Sequence, residues 1–247
     1  MARAICGVRI EKVTESVAAE VIGGGRSSCA EAGIVLAGGH SIDSPEPIFG
    51  LSVSGRVSLR YLKKNSDAKA GDAIFITKPL GVGILATAQK MKKVHFDDHQ
   101  NAIVQMTQLN SVGALIAKIE GVNAITDVTG FGLGGHLIEV CSASQVSAQL
   151  KFSSIPLLDN VNHYLKLGCI PGGSERNFQS YGHQLGTLNA MQKSIICDPQ
   201  TSGGLLITAS QSAKSTVSAI LEEQKLPFAE IGEIYPAEDQ LKIISFQ

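Results

Sequence analysis

Short apolar runs set against glycine-bearing segments constrain this chain most. GIVLAGG (33–39), AIFITK (73–78), VNAIT (122–126) and GGLLITA (203–209) are each too brief for a stable helix. Wholly apolar runs of about four to eight residues between turn formers read as strands buried on both faces. RAICGV (3–8), with Ala4, Cys6 and Val8 on one face, and IFGLSVSGRV (48–57) read as further strands, as do VSAQLKF (146–152), 228–235 and 241–246. Helices are predicted over 13–32, capped by Thr14, from Pro79 into GILATAQKM, over 101–118, over 133–143 and over 211–224. Strands and helices mix without strict βαβ alternation, which predicts an α+β fold.

The 247 residues are 44% apolar and 17% charged, enough for one large or two modest cores. A formal net charge of −1 gives no electrostatic footprint for nucleic acid or an anionic membrane, so a small-molecule ligand is expected. Five scattered cysteines without a C-x-x-C pair argue for buried thiols over a disulfide framework or zinc site. No apolar run approaches the ~20 residues of a membrane span, and no signal sequence is recognisable, so a cytoplasmic protein is expected. The polar texture LRYLKKNSDAKAGD (59–72) marks a domain junction.

ITDVTGFGLGGHL (125–137) contains G-x-G-x-x-G, the dinucleotide fingerprint. A dinucleotide site needs an acid about 20 residues on, at the end of the next strand. That strand ends in QLKFSS, with Lys151 and Ser153 at the position, so the fingerprint fails. Asp127 offers another chemistry: a carboxylate at a strand end, before a glycine-loosened turn, can face Mg²⁺, which takes one or two carboxylates plus substrate phosphates. The alternative role for Asp127 is a cap on the following helix. His136 inside that helix reads as a hydrogen-bonded structural residue, since no carboxylate partner is evident, and His95 and His99 as solvated. AGGHSIDSPEP breaks a strand into a loop where Gly38, Gly39 and Ser41 could cradle a phosphate, and IPGGSERN and CDPQTSGGLL are further polar glycine loops.

GGHSIDSPEPIFGLSVSG, TKPLGVGIL, TDVTGFGLGGHL, PGGSERNF and DPQTSGGLL, in this order, resemble the characteristic runs of the selenophosphate synthetase (selenide, water dikinase) family. That family resembles aminoimidazole ribonucleotide synthetase, a hydrogenase maturation factor and thiamine-monophosphate kinase. The resemblance implies the remainder of an N-terminal α/β dimerisation and ATP-binding domain (1–68), then an α+β C-terminal domain (69–247). It implies ATP and Mg²⁺ as cofactors, ATP and selenide as substrates, and a homodimer. It makes Asp127 the magnesium ligand and Gly39, His40 and Ser41 the ATP contacts, donated across the dimer. Thr129, Arg176, Asn177, Asp198 and Thr201 are expected along the cleft. The family's reactive Cys or selenocysteine, its Lys and two further magnesium-binding Asp are expected upstream of Met1, so no catalytic residue is assigned here and the chain alone is expected to be inactive. Another enzyme of the superfamily, or a catalytically dead dimerisation module, are the competing expectations.

Overall fold

The computed structural model describes residues 2–8, 14–237 and 243–247, with the side chains of residues 3 and 5–8 outside that description. The common face expected for Cys6 and Val8, and the helix start expected at Val13, therefore lie outside the described residues. The chain divides into two compact units, Met1–Arg60 and Tyr61–Gln247.

In the first unit, β1 (Ala2–Val8) lies between two partners. α1 (Glu15–Glu31) carries the chain to β2 (Leu36–Asp43), which pairs with β1 in parallel, and β3 (Ile48–Val53) pairs antiparallel. Thr14 caps α1, its hydroxyl accepting from the Val17 amide at 3.4 Å. β2 continues through His40–Asp43, where a loop was expected. Its pairing runs on to Val8↔Asp43, and the chain turns only on reaching Pro45. Gly39, His40 and Ser41 are thus exposed strand residues beside β1, not the apex of a loop. Gly39 must be glycine for packing alone, because a Cβ there would sit 2.3 Å from the Ala4 carbonyl oxygen.

The second unit is built on a six-stranded sheet. Its elements are β4 (Ala73–Ile76), α2 (Val82–Lys90), α3 (Phe96–Thr107), α4 (Gly113–Ile116), β5 (Val122–Asp127), α5 (Gly132–Ser144) and β6 (Val146–Leu150). There follow α6 (Val161–Lys166), α7 (Gly172–Tyr181), α8 (Ala190–Ile196), β7 (Leu205–Ala209), α9 (Lys214–Glu223), β8 (Ala229–Pro236) and β9 (Ile244–Phe246). The strand order is β5-β7-β4-β8-β6-β9, antiparallel except for β6 with β9. β4 and β7 are buried along their whole length, as expected of strands covered on both faces, whereas GIVLAGG, expected to be buried likewise, leads into β2, which is exposed from Ala37 to Asp43. Ile74 and Ile76 face the core beneath α2 and α5, while Ala73 and Phe75 face a second core with Ile116 of α4 and Val217 and Leu221 of α9. The fold is α+β.

Several predicted elements move. Pro79 does not begin α2: Leu80 first exchanges backbone hydrogen bonds with the segment Pro156–Leu158, and the helix starts after Gly81. The helix expected over 101–118 is two helices, α3 starting earlier at Phe96 and ending at Thr107. Beyond Thr107 the chain turns extended at Gln108, and the ammonium of Lys78 takes the Gln105 and Gln108 carbonyls at 3.1 and 2.7 Å. Those are acceptors that a helix end leaves open. IPGGSERN, expected as a loop, opens α7, whose two leading glycines conceal a helical start.

Candidate active site

The register of the sheet brings three strand ends together. Asp127 at the end of β5 pairs with Leu205 at the start of β7, and Ile76 at the end of β4 pairs with Leu206. The loops leaving these ends are those of TKPLG, TDVTGFG and DPQTSGG. They are laced by hydrogen bonds: Val128 amide to Gly204 carbonyl (2.9 Å), Gln200 amide to Thr129 carbonyl (3.0 Å) and Leu205 amide to the Thr77 hydroxyl (2.8 Å). Asn177 of α7 donates to the carbonyls of Gly130 (2.9 Å) and Cys197 (3.0 Å). Asn110 donates to Gly203 and Lys78 to Ser202. Backbones approach so closely that a Cβ on Gly203 would lie 2.1 Å from the Val128 carbonyl oxygen. Four motif segments, distant in sequence, thus form one cluster.

Within it Asp127 is exposed, and its carboxylate has no hydrogen-bond or ion-pair partner among the described residues. It does not cap α5, whose N-cap is Phe131 with no side-chain cap hydrogen bond. Among the described residues no group of three or more His, Cys, Asp or Glu could hold a metal. A lone free carboxylate fits a hard cation whose other ligands are phosphates and water, and not an all-protein cage.

Thr129 is half-buried, and its hydroxyl lies 3.1 Å from His136 Nε2. His136 Nδ1 faces Glu139 Oε2 at 3.6 Å, so the histidine has a carboxylate neighbour one helical turn on. The i, i+3 spacing of His136 and Glu139 on one helix is the sequence signal of this pair, against the expectation of no carboxylate partner. Phe131 is exposed, its ring tilted against that of His136 at 5.9 Å.

The remaining expected cleft residues separate. Arg176 and Thr201 are exposed. Asn177 is buried as the stitch described above. Asp198 is fully buried and does not line an open cleft. Its Oδ2 accepts from the Gly83 amide of α2 (3.2 Å) and from Gln200 Nε2 (2.7 Å), while Oδ1 has no partner. Burial pushes this carboxyl up to about 7, against the opposing pull of its donors. Lys78, sequestered at 2% exposure, is lowered to about 8 by burial. Cys29, Cys141, Cys169 and Cys197 are all buried, and burial raises the Cys141 thiol to about 12 and raises Cys197 as well, so neither offers a ready thiolate.

The fold excludes a dinucleotide arrangement too. After the glycines α5 leads to β6, which is not adjacent to β5 in the sheet. Residues 69–243 match the family model "AIR synthase related protein, C-terminal domain". The fold is shared with thiamine-monophosphate kinase from Stenotrophomonas maltophilia K279a (TM-score 0.72, 16% identity, covering 99% of this chain and 71% of that one). It is also shared with hydrogenase maturation protein HypE in complex with ATP (TM-score 0.68, 18% identity, 95% of this chain and 64% of that one). The class is therefore that of the AIR synthase-related proteins. The selenide, water dikinase of Shewanella sp. (strain W3-18-1) is 52% identical over 244 residues, 99% of this chain and 69% of its own length. That of Shewanella sp. (strain MR-4) is 54% identical over 234 residues, 95% and 66% respectively. The chain belongs to the selenide, water dikinase family.

Proposed function

We propose that this chain serves the reaction of ATP, selenide and water to give selenophosphate, orthophosphate and AMP, and that the cluster around Asp127 is its phosphate-handling side. The observation that carries the site is Asp127: an unpartnered, exposed carboxylate where four motif segments converge. Asp127 would hold Mg²⁺, which supplies charge neutralisation on phosphates undergoing transfer. The lacing of Val128, Thr129 and Gly130 to Gly204, Gln200 and Asn177 keeps the segment after Asp127 from moving as charge shifts. Preorganised groups of this kind need no rearrangement during reaction. Gly39, His40 and Ser41 contact the nucleotide of a second copy, so that the first unit (1–68 in the proposed domain division) serves dimerisation and ATP binding, and 69–247 carries Asp127. No helix among the described residues is long and apolar enough to cross a membrane; we assign the reaction to the cytoplasm, where ATP is available.

The test compares Asp127→Asn and Asp127→Ala in the intact enzyme. AMP formation should fall steeply in both, with raised magnesium rescuing the Asn variant only in part. Wild-type turnover in Asp127→Asn would remove the carboxylate from metal binding.

A further inference from the structure

The direction of the Thr129 hydroxyl in the TDVTGFG turn is set by its surroundings. Its backbone carbonyl is taken by the Gln200 amide at 3.0 Å, and its Oγ1 meets His136 Nε2 at 3.1 Å. Which of those two atoms carries the proton follows from the other side of the ring. His136 is 8% exposed, and Nδ1 is buried without a hydrogen-bond partner. The nearest charge facing Nδ1 is Glu139 Oε2, at 3.6 Å. A lone pair on Nδ1 would point at a carboxylate and be repelled, whereas an N–H there is attracted. Glu139 is itself held, its Oε1 accepting from Asn65 Nδ2 at 3.0 Å. A neutral ring therefore carries its proton on Nδ1, Nε2 is the bare nitrogen, and the Thr129 hydroxyl donates to it.

A hydroxyl whose hydrogen is committed inward presents only lone pairs outward. Phosphate oxygens, themselves acceptors, gain nothing from such a group. Water has two hydrogens to donate. The reaction proposed above removes two phosphoryl groups from ATP; selenide captures one and water the other. We infer that the Asn65–Glu139–His136 chain makes the Thr129 hydroxyl an acceptor for the water consumed, with His136 as a positioning residue for the half of the reaction that water completes. The inference rests on the reading of the cluster around Asp127 as the phosphate-handling side. In that half-reaction the water oxygen bonds to phosphorus, the bridging P–O bond breaks and the bridging oxygen leaves with AMP; one water proton stays on the orthophosphate formed and the other is released to solvent. Thr129 orients one O–H of the water and is unchanged at the end. His136 never touches the reactants.

This arrangement predicts a product shift that general damage would not give. In the intact enzyme supplied with ATP, selenide and magnesium, His136→Ala leaves the selenide half in place and loses orientation of water. Selenophosphate and ADP should then accumulate, AMP should fall about 100-fold, as misorientation of a reactant commonly costs, and the KM for ATP should stay near wild type. Thr129→Val, which matches the native side chain in shape, should give the same shift should His136→Ala fold poorly. Nitrogen-15 NMR of the imidazole in the unmodified protein should show the Nδ1-protonated tautomer. An Nε2-protonated or doubly protonated ring, AMP at the wild-type rate in Thr129→Val, or parallel loss of ADP and AMP in both variants would each overturn the inference. Failure of the underlying site reading has its own signature: Asp127→Asn with unaltered magnesium dependence, which leaves the tautomer where it was.

Discussion

The ammonium of Lys78 donates to the carbonyl of Ser202 at 2.8 Å, a bond spanning 124 residues of sequence. The same nitrogen takes the carbonyls of Gln105 and Gln108, so one buried cation ties the loop before β7 to the end of α3. Lys78→Met should fill the volume and leave three acceptors without their donor. The expected loss is about 3–5 kcal/mol, from charged hydrogen bonds of about 1.5–3 kcal/mol each that are not fully additive. Chemical denaturation of both proteins at pH 7 measures it. Because burial lowers Lys78 to about 8 from 10.5, the folded protein holds fewer protons than the unfolded one between those values. Wild-type stability should therefore rise relative to Lys78→Met between pH 8 and 10.5, by up to about 3 kcal/mol. A flat difference across that window would contradict the lowered value.

Asp127 contributes nothing to helix capping, so its replacement should be nearly silent in stability. Asp127→Asn and Asp127→Ala should each change unfolding free energy by less than about 0.5 kcal/mol, the range for exposed sites without partners. A loss near 1 kcal/mol confined to the Ala variant is the pattern of a missing cap. Thermal unfolding of the two variants side by side distinguishes these outcomes.

Asp198 carries a charge where the fold does not favour one. Its carboxyl is raised to about 7 from 3.8, so between these values the folded state holds more protons than the unfolded state. Stability should fall as pH rises through that window, by an amount on the order of 4 kcal/mol when complete. Asp198→Asn keeps an acceptor for the Gly83 amide and removes the buried charge. It should abolish this slope and be more stable than wild type at pH 8, with little difference near pH 4. Urea unfolding at the two pH values decides the matter, and an Asn variant weaker than wild type at pH 8 would mean the carboxylate is favoured where it lies.

Gly203→Ala tests the close backbone approach. A methyl 2.1 Å from the Val128 carbonyl oxygen forces the two loops apart, and overpacking of this severity should cost about 3 kcal/mol. The activity proposed above should drop with it, because the segment displaced carries Asp127 and Thr129. A stable, active Gly203→Ala protein would show that the loops can separate freely.

The sequence made some of this visible and hid the rest for physical reasons. AIFITK and GGLLITA announce buried strands because AIFI and LLI are apolar without a break, and Asp127 stands out because the glycines beside it loosen the turn. α7 was hidden because Gly172 and Gly173 have the weakest helix preference short of proline, and packing of Gly173 against Pro199 supplies what propensity lacks. Lys78 reads as the polar end of a strand; only the three-dimensional fold reveals that three carbonyls await it. Asp198 reads as a site carboxylate because it lies in a polar motif, yet one of its donors is an amide 115 residues away in α2. His136 and Glu139 were legible as a pair at helical spacing, but not the hydroxyl on the ring's far side.

The strand order β5-β7-β4 has a consequence for how the protein emerges from the ribosome. β4 and β5 are never hydrogen-bonded to each other; β7 lies between them and pairs with both. A nascent chain that has delivered TKPLG and TDVTGFG still has no sheet to hold them in register, and Asp127 has no neighbour at Leu205. β4 must wait unpaired, and β5 with only an isolated bridge from Ala124 back to Lys64, until residues 205–209 leave the tunnel, the kind of long-range closure that is slow and exposed to aggregation. Stalled synthesis before that point should yield a chain that chaperones retain, whereas release a few dozen residues later allows the three strands to close in one step.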